Sequence, residues 1–230
     1  MKWSFIISYL DGIYLEPIVN SIKNQNNLTK DNFEIILIGP DNEALHKIKP
    51  LINNNIVFNE TLIPGWITMK KNLGIQNANF ENVCIMHDYI GLCENWYTGY
   101  LRFGDNWEVC SNSIRRLNGT RYRDWITLDR PVQFISYDDN THTNTNMYVD
   151  GTQWCAKRKF MVENPLDIRR VWGQGEDIEW SVRCKNKWIY KFNAHSIMTL
   201  LKDKGDSDLT PHPELDMNLS EFYRNAKLQK

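Results

Sequence analysis

The first ninety residues alternate short apolar runs with amphipathic segments, and this alternation constrains the fold more than any other feature. The apolar runs cover 3–9, 33–38, 56–58 and 83–86. The three segments between them have the apolar spacing and the capping residues of helices. Strands joined by helices in this way need crossover connections, and therefore form a parallel sheet covered by helices. We expect an α/β fold with a central, mostly parallel sheet.

Polar residues follow three of these runs and predict a ligand site. Leu10-Asp11, Pro40-Asp41 and His87-Asp88-Tyr89 each stand at the carboxyl end of an expected strand. Ligands of open parallel sheets bind beyond those ends, so the three clusters should share one rim. The carboxylate of Asp88 suits a hard divalent cation. The alternative is a turn in which Asp88 bonds its own backbone.

A second polar cluster opens a helix late in the chain. Residues 172–183 read Trp-Gly-Gln-Gly-Glu-Asp-Ile-Glu-Trp-Ser-Val-Arg, so two glycines precede the acids Glu176 and Asp177. Acidic side chains stabilise a helix N-terminus, and a capped amphipathic helix would explain the stretch. The other interpretation is a pair of carboxylates at the mouth of a pocket, beside an aromatic platform.

Three further features have both a functional and a structural interpretation. Lys70-Lys71-Asn72, on an expected helix that Thr68 can cap, either approaches a diphosphate or forms a solvated helix face. The arginines between 115 and 130 either hold an anion or lie on a solvated surface, and His195 is either a metal ligand or a structural histidine. No P-loop and no G-x-G-x-x-G motif after the first strand occurs, which disfavours a Rossmann dinucleotide site.

The second half of the chain has a different pattern. From Trp107 to Tyr148 the expected strands are short and polar, 138–146 reads as a polar loop, and 188–192 and 195–201 read as closing strands. With 230 residues, of which 42% are hydrophobic, a single α/β domain is expected.

Bulk properties narrow the partners and the compartment. The net charge of −1 argues against nucleic acid as a partner. The five cysteines are scattered without zinc spacing, which is typical of reduced thiols. No signal peptide and no apolar window of roughly 18 residues is apparent, so we expect no transmembrane segment and a cytoplasmic location.

Three motifs in order resemble those of the GT-A glycosyltransferases, in particular the large inverting family-2 type. Members have an R/K-N-x-G-x-x-x-A segment, then a strand ending in an Asp-x-Asp type motif, and later a Gly-x-Glu-Asp helix start. The corresponding residues here are Lys71-Asn72-Leu73-Gly74 with Ala78, then Ile85 to Tyr89, and then Trp172 to Asp177. The resemblance covers roughly residues 3 to 200. The chain departs from the pattern at Tyr89, where a second metal-binding acid is common.

The resemblance implies an activity and a set of site residues. A sugar would move from a nucleoside-diphosphate sugar donor to a hydroxyl of a glycan or glycoconjugate acceptor, with inversion. Asp177 would be the general base and Glu176 would orient the hydroxyl, while Trp172 or Trp180 would stack on the acceptor. Asp88 would bind Mn²⁺ or Mg²⁺, with His87 or His195 as a further ligand. The implied donor site consists of Tyr9, Leu10, Asp11, Asp41, Lys71, Asn72, His87 and Asp88.

The expected organisation is one GT-A domain over 1–230. Residues 1–92 would form the nucleotide-sugar half, 93–202 a mixed acceptor and catalytic half, and 203–230 a C-terminal tail. The main alternative is a non-catalytic carbohydrate-binding GT-A-like domain with a degraded metal site. A sugar-nucleotide nucleotidyltransferase is a third hypothesis, but the glycine-rich loop expected after its first strand is missing.

Overall fold

The computed structural model describes residues 1–59, 61, 65–127, 134–138 and 147–202. The predicted tail, 203–230, and most of the predicted polar loop, 138–146, lie outside the described residues. The strands are β1 Trp3–Ser8, β2 Phe33–Gly39, β3 Asn54–Val57, β4 Asn82–His87, β5 Ile90–Leu92, β6 Val109–Arg115, β7 Ile126–Thr127, β8 Met147–Tyr148, β9 Gln153–Lys157 and β10 Tyr190–Leu200. The helices are α1 Leu15–Lys23, α2 Glu43–Ile48, α3 Ile67–Asn77, α4 Trp96–Phe103, α5 Arg158–Glu163 and α6 Glu176–Cys184, with a 3₁₀ turn at Lys49–Leu51.

Eight strands form the main sheet in the order β3-β2-β1-β4-β9-β6-β10-β5. The first four are parallel to one another, as the alternating pattern predicts. β9 runs antiparallel to both β4 and β6, β10 is parallel to β6, and β5 is antiparallel to β10. β7 and β8 pair separately as a small antiparallel sheet. The prediction of a mostly parallel α/β sheet with a mixed second half is therefore confirmed.

The main sheet is strongly curled. Only two residues separate the end of β4 from the start of β5, so the connection spans at most about 11 Å. Yet β5 is four positions away from β4 in the sheet, which in a flat sheet would be about 19 Å. Curling therefore brings the edge of the sheet back towards the end of β4.

Side chains of the parallel strands alternate between two hydrophobic clusters, one on each face. Phe5 and Ile7 face the cluster that includes α1 and α4, whereas Ile6 and Ile85 face the cluster that includes residues of α3, α5 and α6. This alternation follows from the two-residue period of a strand. Because helices cover both faces, β1 and β2 are buried along their whole length.

Two parts of the second half differ from the sequence prediction. β10 is one strand with a bulge between Asn193 and Ile197, in place of two closing strands. β6 is a largely buried strand of the main sheet, although Ser111-Asn112-Ser113 at its centre suggested a polar strand. Asn112 is tolerated there because its carboxamide oxygen accepts a hydrogen bond from the indole of Trp96 (3.2 Å).

Two predicted helix caps also differ. The N-cap of α2 is Asn42, whose side chain accepts the amide of Leu45, so Asp41 lies one residue before the cap. Thr68 lies inside α3, and its hydroxyl donates to the carbonyl oxygen of Arg170. No described helix is both long and apolar enough to cross a lipid bilayer.

Candidate active site

The predicted rim is present at the carboxyl ends of β1 and β4. The backbone amide of Leu10 donates to Asp88 Oδ2 (3.1 Å), which joins the end of β1 to the turn after β4. The ammonium group of Lys70 donates to the carbonyl oxygen of Tyr9 (3.2 Å). Two of the three predicted clusters, at the ends of β1 and β4, therefore meet at this edge of the sheet, and Lys70 of α3 joins them.

Asp88 is held in an environment that disfavours its charge. Burial raises the pKa of this carboxyl and the nearby Asp11 adds to the effect, while the amide of Leu10 and the charge of Lys70 oppose it. A cation placed on the rim would offset that cost. Asp88 is thus suited to contact a positively charged ligand or ion.

The rim suits a divalent ion that arrives with its own phosphate ligands. Asp88 and Asp11 supply two carboxylates within electrostatic reach of each other. In the part of the chain that the structure describes, no three His, Cys, Asp or Glu side chains form a metal-binding group. Mg²⁺ is commonly held by one or two carboxylates together with substrate phosphates, and these residues fit that arrangement. The described residues do not form a preformed cage.

His195 is not part of this rim, which corrects its prediction as a metal ligand. His195 is exposed at the bulge of β10, and Leu200, five residues further on, pairs with Ile90. Asp88 lies beyond Ile90, on the side away from His195, because β5 runs antiparallel to β10. Five residues of strand span roughly 16 Å, so the two side chains cannot share an ion.

The neighbouring lysines of α3 point to different places. Lys70 reaches the rim, whereas the fully buried Lys71 bonds Glu176 Oε1 (3.1 Å) and the carbonyl oxygen of Gly151 (3.2 Å). Successive helix residues differ by about 100° in direction, which explains the divergence. The structure therefore places Lys70 at the rim and Lys71 beside the acidic helix start.

Asn72 also has a different role from its prediction as a donor contact. Its carboxamide accepts from the amide of Leu166 (3.0 Å) and donates to the carbonyl oxygen of the same residue (2.8 Å). The side chain is buried, and both ends of it are bonded. Asn72 thus secures the segment that leads to the glycine-rich turn.

The acidic pair lies at the first turn of α6, as predicted. Gly173 and Gly175 have φ values of +82° and +62°, which side chains with a Cβ rarely adopt, and so allow the sharp turn into the helix. Glu176 is buried against Lys71, whereas Asp177 is half-buried. The amide of Gly151 donates to Asp177 Oδ2 (2.7 Å) and holds that carboxylate in place.

Asp177 has the electrostatic environment of a proton acceptor that works near neutral pH. Burial raises the pKa of Asp177 to about 7, and the negative charges of Glu176 and Asp150 contribute, while Lys71 opposes them. A carboxylate with this pKa is half protonated at neutral pH, which is the range where a general base is most effective. The neighbouring Lys71–Glu176 ion pair compensates the buried charge of Glu176.

A short turn between β8 and β9 connects the rim to the acidic pair. The carbonyl oxygen of Thr152 accepts a hydrogen bond from the amide of His87 (3.1 Å). The hydroxyl of Thr152 lies 3.5 Å from the hydroxyl of Tyr89. Gly151, the preceding residue, bonds Asp177. The rim and the carboxylate pair therefore belong to one site. Sequence reasoning missed this turn, because an Asp-Gly-Thr triplet is common in ordinary turns.

The two predicted acceptor tryptophans have opposite environments. Trp172 is 70% exposed on the glycine-rich turn. Trp180 is fully buried, packs against Trp154, Phe160 and Trp188, and donates its indole N–H to Asn164. The prediction for Trp180 is corrected, because a core residue cannot stack on a sugar.

The other predicted donor residues lie at or near the rim. Tyr9 is buried and its hydroxyl donates to the carbonyl oxygen of Pro40, while Leu10 is 61% exposed. Asp41 is exposed and pairs with His46 Nε2 (2.7 Å). The ring of His87 stacks on that of Tyr89. Their roles towards a donor stay predictions.

The sheet order, the strand-end rim and the acidic helix start define a protein of the GT-A fold, as the order of the motifs predicts. No protein-family model matches the sequence, and no curated protein sequence matches it. Solved structures do match. That of S. aureus TarS 1-349 in complex with UDP-GlcNAc has a TM-score of 0.62 and 14% sequence identity, over 99% of this chain and 65% of that one.

A second similar structure is that of GalNAc-T7 with UDP, GalNAc and Mn²⁺. It has a TM-score of 0.66 and 16% identity, over 87% of this chain and 44% of that one. The chain thus spans less than two thirds of either protein. At this level of identity the similarity establishes the fold, and the activity has to be argued from the site.

Proposed function

We propose that this chain is a glycosyltransferase that moves a sugar from a nucleoside-diphosphate sugar to a hydroxyl of a glycan or glycoconjugate acceptor, with inversion at the anomeric carbon. The observation that carries the proposal is the half-buried carboxylate of Asp177, with a pKa of about 7, beside the strand-end rim of a GT-A fold. Strongly perturbed pKa values cluster at functional sites, which favours a functional carboxylate over a structural cap.

Asp177 acts as the general base in this proposal. It takes the proton from the acceptor hydroxyl as the oxygen attacks the anomeric carbon and the bond to the diphosphate breaks. The amide of Gly151 fixes the carboxylate, so that one oxygen is oriented before the substrate arrives. Glu176, held by Lys71, orients the hydroxyl, and the exposed ring of Trp172 offers a stacking face to the acceptor.

The donor binds along the rim. Lys70 supplies a positive charge where the diphosphate would lie, and Asp88 with Asp11 would hold Mn²⁺ or Mg²⁺. Such an ion, when bound, neutralises charge that develops on the departing diphosphate. TarS and GalNAc-T7 were both solved with UDP-containing ligands, and GalNAc-T7 also with Mn²⁺, so UDP-sugars and manganese are the first candidates. A cytoplasmic location also stays a proposal.

The test combines donor binding with turnover. We expect one of the UDP-, GDP- or dTDP-sugars, with Mn²⁺ or Mg²⁺, to raise the melting temperature, because a ligand at about 100 times its Kd adds ~2.7 kcal/mol of stability. Asp177→Asn should keep this shift and lose transfer or donor hydrolysis by at least about 100-fold. NMR of the released or transferred sugar reports its anomeric configuration.

Two outcomes decide against the proposal in different ways. A donor-induced shift without turnover in the native chain, with any acceptor of a glycan panel, supports the non-catalytic carbohydrate-binding alternative. That alternative is favoured by one observation, Tyr89 at the position of a second metal-binding acid. Full activity in Asp177→Asn would remove the general base assignment while leaving the donor site intact.

A further inference from the structure

Arg123 lies beside the acidic site, although it comes from the segment between β6 and β7. Its side chain is only 20% exposed, and its Nε lies 3.4 Å from Asp150 Oδ2. One of its terminal nitrogens donates to the hydroxyl of Tyr148 (2.8 Å). An arginine held at two points is a fixed part of its surroundings, unlike one on a solvated surface.

Asp150 connects Arg123 to the turn that contacts Asp177. It is 7% exposed at the side chain, and its Oδ1 accepts the amide of Thr152 (2.9 Å), which fixes the turn that begins at Asp150. The middle residue of that turn, Gly151, donates to Asp177 Oδ2 (2.7 Å). A Cβ at Gly151 would lie 2.9 Å from the same oxygen, so the turn is seated directly against the carboxylate.

Charged groups of both signs surround Asp177. Among the described residues, the charged and titratable groups facing it are Glu176 beside it on α6, Asp150 on the turn, Lys71 on α3, and Arg123 with Tyr148 behind Asp150. Of these groups, Lys71 and Arg123 are the cations, so removing Arg123 would leave Lys71 against the carboxylates of Glu176, Asp150 and Asp177. Asp150 and Arg123 therefore act on Asp177 with opposite signs.

We infer that Arg123 is a positioning residue for Asp177: through Asp150 it holds the Gly151 turn against the carboxylate and offsets the negative charge that Asp150 brings to the site. The inference concerns the same site and rests on the proposed function for its catalytic meaning. It assigns a role to one of the arginines between 115 and 130, for which the sequence allowed two interpretations, an anion site or a solvated surface.

The test uses two single variants and their combination. Arg123→Gln removes a cation, so the titration midpoint of Asp177 should rise, whereas Asp150→Asn removes an anion and should lower it. At an effective dielectric constant of about 20, a unit charge roughly 7 to 10 Å away shifts a midpoint by about one to two pH units. The double variant should return close to the native midpoint. A merely structural role would not produce shifts of opposite sign.

Two readouts are measured on the full chain. The first is the ¹³C carboxyl titration of Asp177, assigned by comparison with Asp177→Asn, which requires no activity. The second is the acid limb of the pH profile of kcat/KM for transfer. Arg121→Gln is the matched control, because Arg121 belongs to the same segment but bonds Asp124 (2.7 Å). It should lower stability without moving the midpoint of Asp177.

The two readouts separate this inference from the proposed function. Opposite shifts in the ¹³C titration without sugar transfer in the native chain would support the positioning role and remove the proposed activity. Transfer with an unchanged midpoint, or shifts of the same sign in both single variants, would overturn the positioning role and leave the activity standing.

Discussion

Replacing Asp177 with asparagine should change how stability depends on pH, not only abolish activity. The pKa of Asp177 is raised from 3.8 to about 7 on folding, first by burial and then by Glu176 and Asp150. Between these two values the folded chain binds more protons than the unfolded chain. Stability is then lost as the pH rises through this window, because the folded state is left with an unfavourable buried charge.

The size of the effect follows from the shift. About three pKa units at 1.36 kcal/mol each give a loss on the order of 4 kcal/mol from low pH to pH 8, of which about 3 kcal/mol falls between pH 5 and 8. Asparagine carries no charge and should remove this slope. The backbone amides of Gly151 and Ile178 each donate to one oxygen of Asp177, and the NH₂ group of asparagine would face one of these donors. The lost hydrogen bond costs about 1–2 kcal/mol at every pH.

The assay is urea unfolding of both proteins at pH 5 and pH 8. Between these two conditions the native chain should lose about 3 kcal/mol more than Asp177→Asn, so that the variant is the more stable protein at pH 8. Glu176→Gln, at the adjacent position, is the control. It should lower the stability of the protein. It leaves the buried Lys71 without its ion-pair partner and should cost about 3–5 kcal/mol.

Equal pH slopes in the native chain and Asp177→Asn would refute the reasoning. They would mean that the carboxyl of Asp177 is ionised at little cost in the folded state, and that its burial does not prepare it for proton transfer.

Three further substitutions test other parts of the site. Gly151→Ala should cost about 1–3 kcal/mol in denaturant unfolding and lower turnover, since the new Cβ would lie 2.9 Å from Asp177 Oδ2; unchanged activity would argue that the turn does not position the carboxylate. Trp172→Ala should change stability by no more than about 0.5 kcal/mol, because the ring is 70% exposed, and raise the KM for the acceptor without changing donor binding by calorimetry. Trp180→Ala should cost about 3–5 kcal/mol in unfolding, as expected for a large cavity in the core, and a loss of acceptor affinity without a loss of stability would contradict its burial.

Local patterns in the sequence predicted the elements of the first half well. The apolar runs at 3–9 and 33–38 correspond to β1 and β2. A short run of mostly apolar residues is typical of a strand that is buried on both faces of a sheet. The same reasoning was less successful for β6. Its central Ser-Asn-Ser is polar, and only the hydrogen bonds of Asn112 with groups distant in sequence make its burial possible.

Sequence adjacency was a poor guide to which side chains share the site. Lys70 and Lys71 are neighbours, yet one bonds Tyr9 and the other bonds Glu176, 105 positions away. Trp180 is three residues from Asp177, but its side chain is buried in the hydrophobic core. The spacing of apolar residues indicates that a helix has a buried face, but not which distant segments will contact its polar residues.

The sequence by itself determined the alternating α/β elements, the strand-end rim and the acidic start of α6, because each depends on contacts within a few residues or on the general rule for parallel sheets. Only the tertiary structure decided that Lys71 compensates Glu176, that Gly151 holds Asp177, and that Arg123 pairs with Asp150. Those contacts join segments that are far apart in the chain. The pKa of Asp177 arises from them together with burial, and neither exists before the chain has folded.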